Sequence, residues 1–408
     1  MGTAVTLDMY LTAGAGIIAL LAGVLLTRAI PLLKRLCIPT PVSGGIVVSL
    51  ITLACHSLLK TDFQFDGTIK DICMTLFFTS VGFQSNLRVF KQGGKQLTVM
   101  IGLVAVLIVA QNLLAVGIAK GLGISPLIGM ATGSIPMSGG HGTSGGFAPV
   151  LEQMGLTGAA SITMAAATFG LVAGSLIGGP LGESLIARHH LAKESLSSDV
   201  VLGMEGTAAS KESRTDHPIS EETLTRRYTQ GACQLLLAMA IGMALNRLLA
   251  LTGLTFPTYF GALIAAACIR NISGDKAGKW ICMDQITSIG NTCLSLFLGI
   301  AMATLKLWEL AGLMLPLVVI LLAQALFIVL FSIFVAFPAL GKSYDSAVLV
   351  SGLCGFGLGA TPNAMANMSA VCFKYHYAVK PFIIIPILGA MFVDIINTGV
   401  ITLFLNLL

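Results

Sequence analysis

The chain contains little charge for its length. Of its 408 residues only 10% are Asp, Glu, Lys or Arg, whereas 55% are hydrophobic. Soluble domains carry about 25% charged residues. This shortage excludes an ordinary soluble domain and indicates a polytopic membrane protein in contact with lipid. The net charge of +5 comes mostly from Lys and Arg at the ends of apolar segments, so it does not indicate a nucleic-acid partner.

Several motifs are absent as well. There is no GxxxxGK[ST] sequence, which leaves ATP-driven transport without support. The nine cysteines show no CxxC or ligand-like spacing, so we interpret them as small packing residues and not as disulfides or metal ligands. The N-terminus lacks a basic region and a small-residue cleavage site, which predicts that the first apolar run is a retained span. We expect no organic cofactor and no enzymatic activity.

Ten apolar segments approach or reach the ~20 residues that a spanning helix needs. They are 11–27, 42–59, 72–86, 97–119, 157–187, 230–251, 257–272, 285–305, 311–337 and 379–405. Two further stretches, 126–149 and 345–368, are rich in small residues and are broken by Pro and Gly. Irregular backbone at membrane depth is tolerated only where it is buried in protein or lines a cavity. These two stretches therefore predict re-entrant hairpins or unwound segments in an all-α membrane protein.

One long polar stretch, 188–227, separates the chain into two parts and predicts a surface linker. If the N-terminus lies outside, the face that holds this linker collects 18 of the 23 Lys and Arg residues and leaves 5 on the other. Cytoplasmic loops carry the excess of Lys and Arg. We therefore expect a cytoplasmic linker and two periplasmic termini.

The two parts of the chain match each other at a nearly constant offset. Arg28 matches Arg247, Pro41 matches Pro257, Thr75-Leu76-Phe77 matches Ser295-Leu296-Phe297, Gly133 matches Gly352, and Gly170 matches Gly389. Five spans is an odd number, so two such repeats run in opposite directions through the membrane. We predict a first repeat at 1–187 and an inverted second repeat at 228–408, each with one re-entrant hairpin. This arrangement is typical of a secondary transporter with its site at the repeat interface.

Short polar side chains lie among the glycines of both predicted hairpins. The candidate substrate-binding residues are Ser134, Ser138, Gly139, Gly140, His141, Thr143 and Ser144 in the first, and Thr361, Asn363 and Asn367 in the second. Glycine allows close approach of the backbone to a ligand. A helix that starts inside a hairpin would direct its positive N-terminal end at an anion. The alternative is that the glycines only permit close helix packing.

Asp394 lies near the middle of the last apolar segment. Inserting a carboxylate at that depth costs roughly 2.5–3.5 kcal/mol. Sodium binding or proton transport would explain why the chain has a carboxylate there. Asn397 lies on the same helix face, and Asn291 is a weaker candidate, so these three form the predicted Na⁺ ligands. The alternative is a structural hydrogen bond from a protonated Asp394. Buried Gln111 and Gln324 more simply join helices.

The glycines of one predicted helix and one serine motif have simple structural explanations. Gly170, Gly174, Gly178 and Gly182 recur every four residues, which indicates a smooth, closely packed helix face; the alternative is a face along which a hairpin moves. The run 142–146 matches G-x-S-x-G, with a histidine directly before it. A nucleophile elbow requires an α/β sheet, so only an intramembrane serine protease, with His141 or His376 as its base, remains as an enzymatic alternative.

Several segments resemble bacterial sodium/glutamate symporters. These are Ser138 to Thr143, Gly170 to Val172 with Gly178 to Pro180, Leu305 to Leu310, Cys354 to Pro362, Pro41 with Gly44-Gly45, and the segment around Asp394. The resemblance covers nearly the whole chain. It implies Na⁺-driven uptake of L-glutamate across the bacterial inner membrane, ten spans, two re-entrant loops and a homodimer.

We therefore expect a Na⁺-coupled glutamate symporter that works by alternating access. A Na⁺- or H⁺-coupled carrier of another carboxylate, such as citrate or malate, is the main alternative. No Lys or Arg lies clearly within a span, although glutamate has two carboxylates. Helix N-termini and hydroxyl groups at the hairpin tips would have to bind them.

Overall fold

The computed structural model describes residues 3–36, 38–85, 94–191, 221–251, 256–273 and 280–408. Within these ranges the chain is mostly helical, and seven helices are long and apolar enough to cross a membrane. They are Met9–Ala29, Thr40–Leu59, Gly94–Gly121, Ala159–Arg188, Glu221–Ala250, Met283–Ala303 and Met314–Ala339. Phe260–Ile272 and Asp394–Leu407 are shorter apolar helices. The prediction of a polytopic membrane protein is confirmed at this level, and the number of ten crossings stays a prediction.

The first half of the chain contains two strands and nine helices among its described residues. They are β1 Thr3–Leu7, α1 Met9–Ala29, α2 Pro31–Arg35, α3 Thr40–Ala54 with a π-helical end at Cys55–Leu59, β2 Thr61–Phe65, α4 Thr68–Gln84, α5 Gly94–Gly121, α6 Pro126–Thr132, α7 Ser134–Met137, α8 Gly140–Gln153 and α9 Ala159–Arg188. The predicted linker 188–227 falls mainly on residues 192–220, which lie outside the described residues.

The second half begins with α10 Glu221–Ala250, α11 Phe260–Ile272 and α12 Met283–Ala303. They are followed by a 3-10 helix at Leu307–Leu313, α13 Met314–Phe331 with a π-helical end at Ser332–Ala336 and a short turn at Phe337–Ala339, α14 Tyr344–Gly357, α15 Thr361–Lys374, α16 Val379–Ile387, a π-helix at Leu388–Val393, and α17 Asp394–Leu407. The last apolar segment is thus helical throughout, with a π-helix in place of the α-helix just before Asp394.

A two-stranded parallel sheet corrects the prediction of a purely helical chain. β1 pairs with β2, with Thr3 opposite Thr61 and Leu7 opposite Phe65. Each strand has only five residues, β1 shows no alternation of polar and apolar residues, and its partner lies more than fifty residues away in the chain. After β2, Thr68 hydrogen-bonds to the Asp66 carboxylate from its side chain and from its backbone N–H, which holds the pKa of Asp66 below its usual range.

The long helices pack into two groups. We call α1, α3, α4, α10, α11 and α12 the six-helix group, because these helices make their closest contacts with one another. We call α5 to α9 and α13 to α17 the hairpin group, in which α9 packs on α8, α14 and α15. Each half of the chain therefore contributes three helices to the first group and five to the second.

Glycine brings two helix pairs of the six-helix group into backbone contact. A Cβ at Gly23 would lie 1.8 Å from Thr40 O, and one at Gly44 would lie 1.7 Å from Ala19 O, so α1 and α3 touch. In the second half, Gly242 and Gly261 bring α10 and α11 together in the same way. Small residues at such contacts are typical of membrane helices, which cannot rely on the hydrophobic effect to associate.

The two segments predicted to be broken are helix–break–helix structures. In the first, α6 ends at Thr132 and α8 begins at Gly140, whose φ of +60° is a left-handed conformation that favours glycine. In the second, α14 ends at Gly357 and α15 begins after Ala360. The two breaks meet, since a Cβ at Gly140 would lie 2.8 Å from Gly359 O. We call these two breaks the hairpin tips, after the hairpins that the sequence predicts.

Candidate functional site

A cavity of about 260 Å³ lies where the hairpin tips meet. The six-helix group supplies Phe77 and Phe78 from α4 and Leu294 and Leu298 from α12. The rest of the lining includes Pro39, Ser138, Gly139, Gly140, His141, Gly142, Thr143, Leu171, Phe356, Gly359, Ala360, Thr361, Pro362, Asn363, Gly389, Val393 and Asp394. The cavity thus has apolar walls from one group and polar groups from the other, between the two groups.

Two helices begin at the cavity. The first residues of α8, from Gly140, and the first residues of α15, from Thr361, both line it. The first N–H groups of a helix have no partner within the helix. The aligned peptide dipoles place roughly half a positive charge at each N-terminus. The described lining holds no Lys or Arg, so these two helix ends are its fixed source of positive potential.

The first hairpin places three predicted side chains at the cavity. Ser138 Oγ donates to Gln111 Oε1 at 2.6 Å. The Thr168 hydroxyl donates to Met164 O at 2.9 Å, so it accepts from His141 Nε2, which lies 3.0 Å away, and His141 carries its proton on Nε2. The buried Thr143 Oγ1 has no hydrogen-bond partner among the described residues. It is therefore available to a ligand.

The second hairpin contributes Thr361 and Asn363. Asn363 Nδ2 donates to Leu171 O at 2.8 Å, which fixes the amide, while its Oδ1 is buried and without a partner in the described part of the chain. Buried polar atoms in native proteins nearly always have partners. The unsatisfied oxygens of Asn363 and Thr143 therefore indicate a place where a ligand or ion supplies the missing partner.

The glycines of α9 pack against the second hairpin. A Cβ at Gly170 would lie 2.0 Å from Leu358 O at the tip, and one at Gly178 would lie 2.1 Å from Asn367 Nδ2. Gly174 and Gly182 face the same element at 3.3 Å and 2.9 Å. The predicted smooth face is therefore a close-packing surface, and its contact is the tip that lines the cavity.

Asp394 is the single carboxylate among the described residues that line the cavity. It begins α17, directly after the π-helix, and is half-buried. Within the described ranges no hydrogen bond or ion pair reaches its carboxyl group. An unpaired carboxylate inside a membrane is costly unless a cation accompanies it. The carboxylate therefore lies at the cavity without a described partner of opposite charge.

Two other predicted residues lie beside the cavity and not in it. Ser134 is held by Asn112, which donates from Nδ2 to Ser134 Oγ at 2.8 Å and accepts from Ser134 N at 2.9 Å. Asn397 Nδ2 donates to Ser134 O at 3.1 Å, and its buried Oδ1 has no partner among the described residues. Both residues therefore connect the first hairpin to α5 and α17.

Three further predicted residues have other surroundings. The buried Ser144 Oγ donates to Thr163 O at 3.3 Å and does not line the cavity. Asn367 Nδ2 donates to Gly174 O at 2.9 Å. Asn291 is exposed on α12. Neither histidine considered as a protease base is hydrogen-bonded to Ser144 in the described structure, since His141 pairs with Thr168 and Ser144 with Thr163.

Sequence reasoning missed the apolar walls of the cavity. Phe77, Phe78, Leu294 and Leu298 look like ordinary membrane-span residues, and nothing in their type indicates a binding site. A signal was present in their position, because Phe77 belongs to one of the matched segments of the two halves and Leu294 directly precedes the other.

A multi-pass helical chain that encloses a cavity with apolar walls and a cluster of polar groups, between two helix groups, is typical of a membrane transporter. A sequence profile of the sodium/glutamate symporter family matches residues 5–377. The chain is 36% identical over 402 residues to proteins named sodium/glutamate symporter from Escherichia coli (strain K12) and Shigella flexneri, covering 98% of both chains in each case. A protein of the same name from Haemophilus influenzae is 36% identical over 396 residues, or 97% of this chain and 96% of the other. The chain therefore belongs to the sodium/glutamate symporter family.

Proposed function

We propose that this chain carries L-glutamate into the cell together with Na⁺. The observation that carries the proposal is the charge balance of the cavity. Two helix N-termini, each with roughly half a positive charge, approximately cancel the Asp394 carboxylate when the cavity is empty. A bound monovalent cation would leave a net charge of about plus one. Glutamate at neutral pH carries a net charge of minus one, so sodium and substrate bind best together.

The hairpin tips are the proposed substrate site. Backbone N–H groups at the starts of α8 and α15 would donate hydrogen bonds to the two carboxylates, as helix N-termini do to other anions. Thr143 Oγ1 and Asn363 Oδ1, both unsatisfied in the described structure, suit the substrate ammonium group or the ion. Ser138, His141 and Thr361 complete the polar lining. This arrangement binds a dicarboxylate without a buried Lys or Arg.

Asp394 is the proposed sodium ligand. Na⁺ prefers oxygen ligands, and broken helices in transporters supply them from carbonyls and side chains. Asn397 Oδ1 lies buried without a described partner one turn away on α17. Asn291 is exposed on α12, which makes it the weaker of the three predicted ligands.

We also propose that the two halves are inverted repeats that alternate the access of the cavity. Gly23 and Gly44 are separated from Gly242 and Gly261 by 219 and 217 residues, and both pairs bring the first two long helices of their half into contact. This spacing agrees with the offset of the sequence matches. The re-entrant hairpins, the homodimer, the bacterial inner membrane and the periplasmic termini belong to the same proposal.

Uptake by purified protein in proteoliposomes tests the function. We expect labelled L-glutamate to accumulate when a sodium gradient is imposed, and no accumulation when potassium replaces sodium. Citrate and malate serve as competitors, since a carrier of another carboxylate would prefer one of them. Uptake driven equally by a proton gradient without sodium would contradict the proposed coupling. A catalytically active protease without transport is not expected, because Ser144 has no histidine partner in the described structure.

A further inference from the structure

Two buried glutamines lie where the hairpins meet the long helices α5 and α13. Gln111 Nε2 donates to Gly357 O at 2.7 Å, and Gln324 Nε2 approaches Thr132 O at 3.4 Å. Gly357 is the last residue of α14, and Thr132 is the last residue of α6. The final carbonyls of a helix have no partner within it, and membrane interiors offer little water. Each glutamine therefore caps a hairpin helix of the other half of the chain.

Gln111 has a second contact that Gln324 lacks. Its Oε1 accepts from Ser138 Oγ at 2.6 Å, and Ser138 lines the cavity at the first tip. The same side chain thus spans from Ser138 at the first tip to Gly357 beside the second. Gln324 Nε2 also donates to Gln111 O at 2.8 Å, whereas its Oε1 is without a partner among the described residues. Both side chains are fully buried.

We propose that Gln111 is a positioning residue that couples the two hairpin tips, so that a ligand that orders one tip also orders the other. The proposal rests on the proposed function only in naming sodium and glutamate as the ligands. Gln111 does not line the cavity, so it acts through Ser138 and the end of α14. Without its amide, the two tips would keep only their direct contact at Gly140 and Gly359, because no other described side chain hydrogen-bonds to both.

Hydrogen–deuterium exchange of the ligand-free full chain tests the coupling without any transport assay. Gln111→Met keeps the side-chain volume but removes both hydrogen bonds. Loss of one such bond speeds local opening by about fivefold, so amide exchange should rise by that factor in peptides covering 133–143 and 355–364. The matched control is Gln324→Met, for which exchange should rise at the first tip alone. Ser138→Ala, the mildest change, should likewise affect the first tip alone.

Two results would overturn the proposal. One is an amide exchange rate at the second tip of Gln111→Met that equals the wild-type rate. The other is an equal rise in the helices α1 and α3, which lie in the other group, because that would mark general loosening of the fold. If Gln111→Met protein does not fold, Ser138→Ala decides by itself, since unchanged exchange at 133–143 contradicts the Gln111 bridge.

The ligand response tests the coupling in the functional state. In the wild type, sodium chloride compared with potassium chloride should slow exchange at both tips, and glutamate should slow it further. In Gln111→Met, the protection should be confined to one tip, and the factor by which sodium tightens glutamate binding should fall about fivefold. A residue with only a structural role would lower the unfolding temperature and leave this factor unchanged. If wild-type protein shows no response to sodium or glutamate, the proposed function fails, whereas the ligand-free exchange still tests the bridge.

Discussion

Gly170 controls the position of the second hairpin tip, and Gly170→Ala should weaken substrate binding from outside the cavity. The added Cβ would lie 2.0 Å from Leu358 O, whereas ordinary contacts begin at 3.4 Å. The tip, or α9, must therefore withdraw by about 1.4 Å. Overpacking of this kind costs about 1–3 kcal/mol. Because Thr361 and Asn363 follow Leu358 closely in the chain, they would move away from the ligand.

The chain offers graded controls on the same helix. At Gly174 the new Cβ would lie 3.3 Å from Leu358 Cβ, which a small adjustment relieves, and at Gly179 nothing lies within 4 Å. We expect a loss of glutamate affinity of about tenfold or more for Gly170→Ala, since about 1.4 kcal/mol corresponds to a factor of ten. Gly174→Ala should lose less, and Gly179→Ala should bind like the wild type, with a helix stabilised by about 1 kcal/mol.

Equilibrium binding of labelled glutamate to purified protein at saturating sodium measures this series, with thermal unfolding recorded in parallel. The reasoning is refuted if Gly170→Ala binds glutamate with wild-type affinity and unfolds at the wild-type temperature. A loss of affinity of the same size in Gly179→Ala would also refute it, because that position has no contact to disturb.

Three other substitutions test separate parts of the structure. Asp394→Asn should shift the sodium midpoint of glutamate binding to higher concentration while affinity at saturating sodium changes much less; an unchanged midpoint in folded protein would make Asp394 structural. Ser144→Ala should leave glutamate affinity within about threefold of the wild-type value. The lost hydrogen bond to Thr163 lies outside the cavity and, at its length of 3.3 Å, contributes only about 0.5 kcal/mol. Loss of all transport would contradict this. Lys374→Met should leave the midpoint of chemical denaturation close to that of the wild type, because its ion pair with Glu183 is largely exposed and is screened by solvent; a clearly lower midpoint would contradict this.

The sequence was sufficient to predict the kind of fold because its signals are local. Long apolar runs mark spanning helices, and Gly and Pro mark the two breaks at 126–149 and 345–368, where the structure has helix–break–helix segments. The strands β1 and β2 could not be predicted in the same way. Their pairing depends on two short segments that lie far apart in the sequence, and β1, unlike β2, shows no alternation of polar and apolar residues.

The candidate site was predicted in part. Ser138, His141, Thr143, Thr361, Asn363 and Asp394 meet at one cavity, as their glycine-rich or mid-span positions suggested. Ser144 and Asn367 lie in the same motifs but point to Thr163 and Gly174 instead. Residue type cannot distinguish these cases, because the direction of a side chain depends on helix phase and on the neighbouring helix.

For the two buried glutamines, the sequence predicted the role but not the hydrogen-bond partners. Gln111 and Gln324 were interpreted as residues that join helices, and the structure agrees with this interpretation. Their partners could not be foreseen, because Gly357 O and Thr132 O are backbone atoms that become acceptors only where a helix ends. The sequence shows which side chains are polar, whereas the ends of the helices decide where they bind.

The β1–β2 sheet relates the order of synthesis to the sidedness of the chain. β1 is made first, and its partner β2 follows only after α1, α2 and α3 have been translated. Two strands can pair only on the same side of a membrane, so this sheet requires α1 and α3 together to return the chain to the side on which β1 lies. A chain in which one of them had failed to insert would hold β1 and β2 on opposite faces. The sheet is therefore compatible with an inserted α1–α3 pair and not with a chain in which only one of the two helices has inserted.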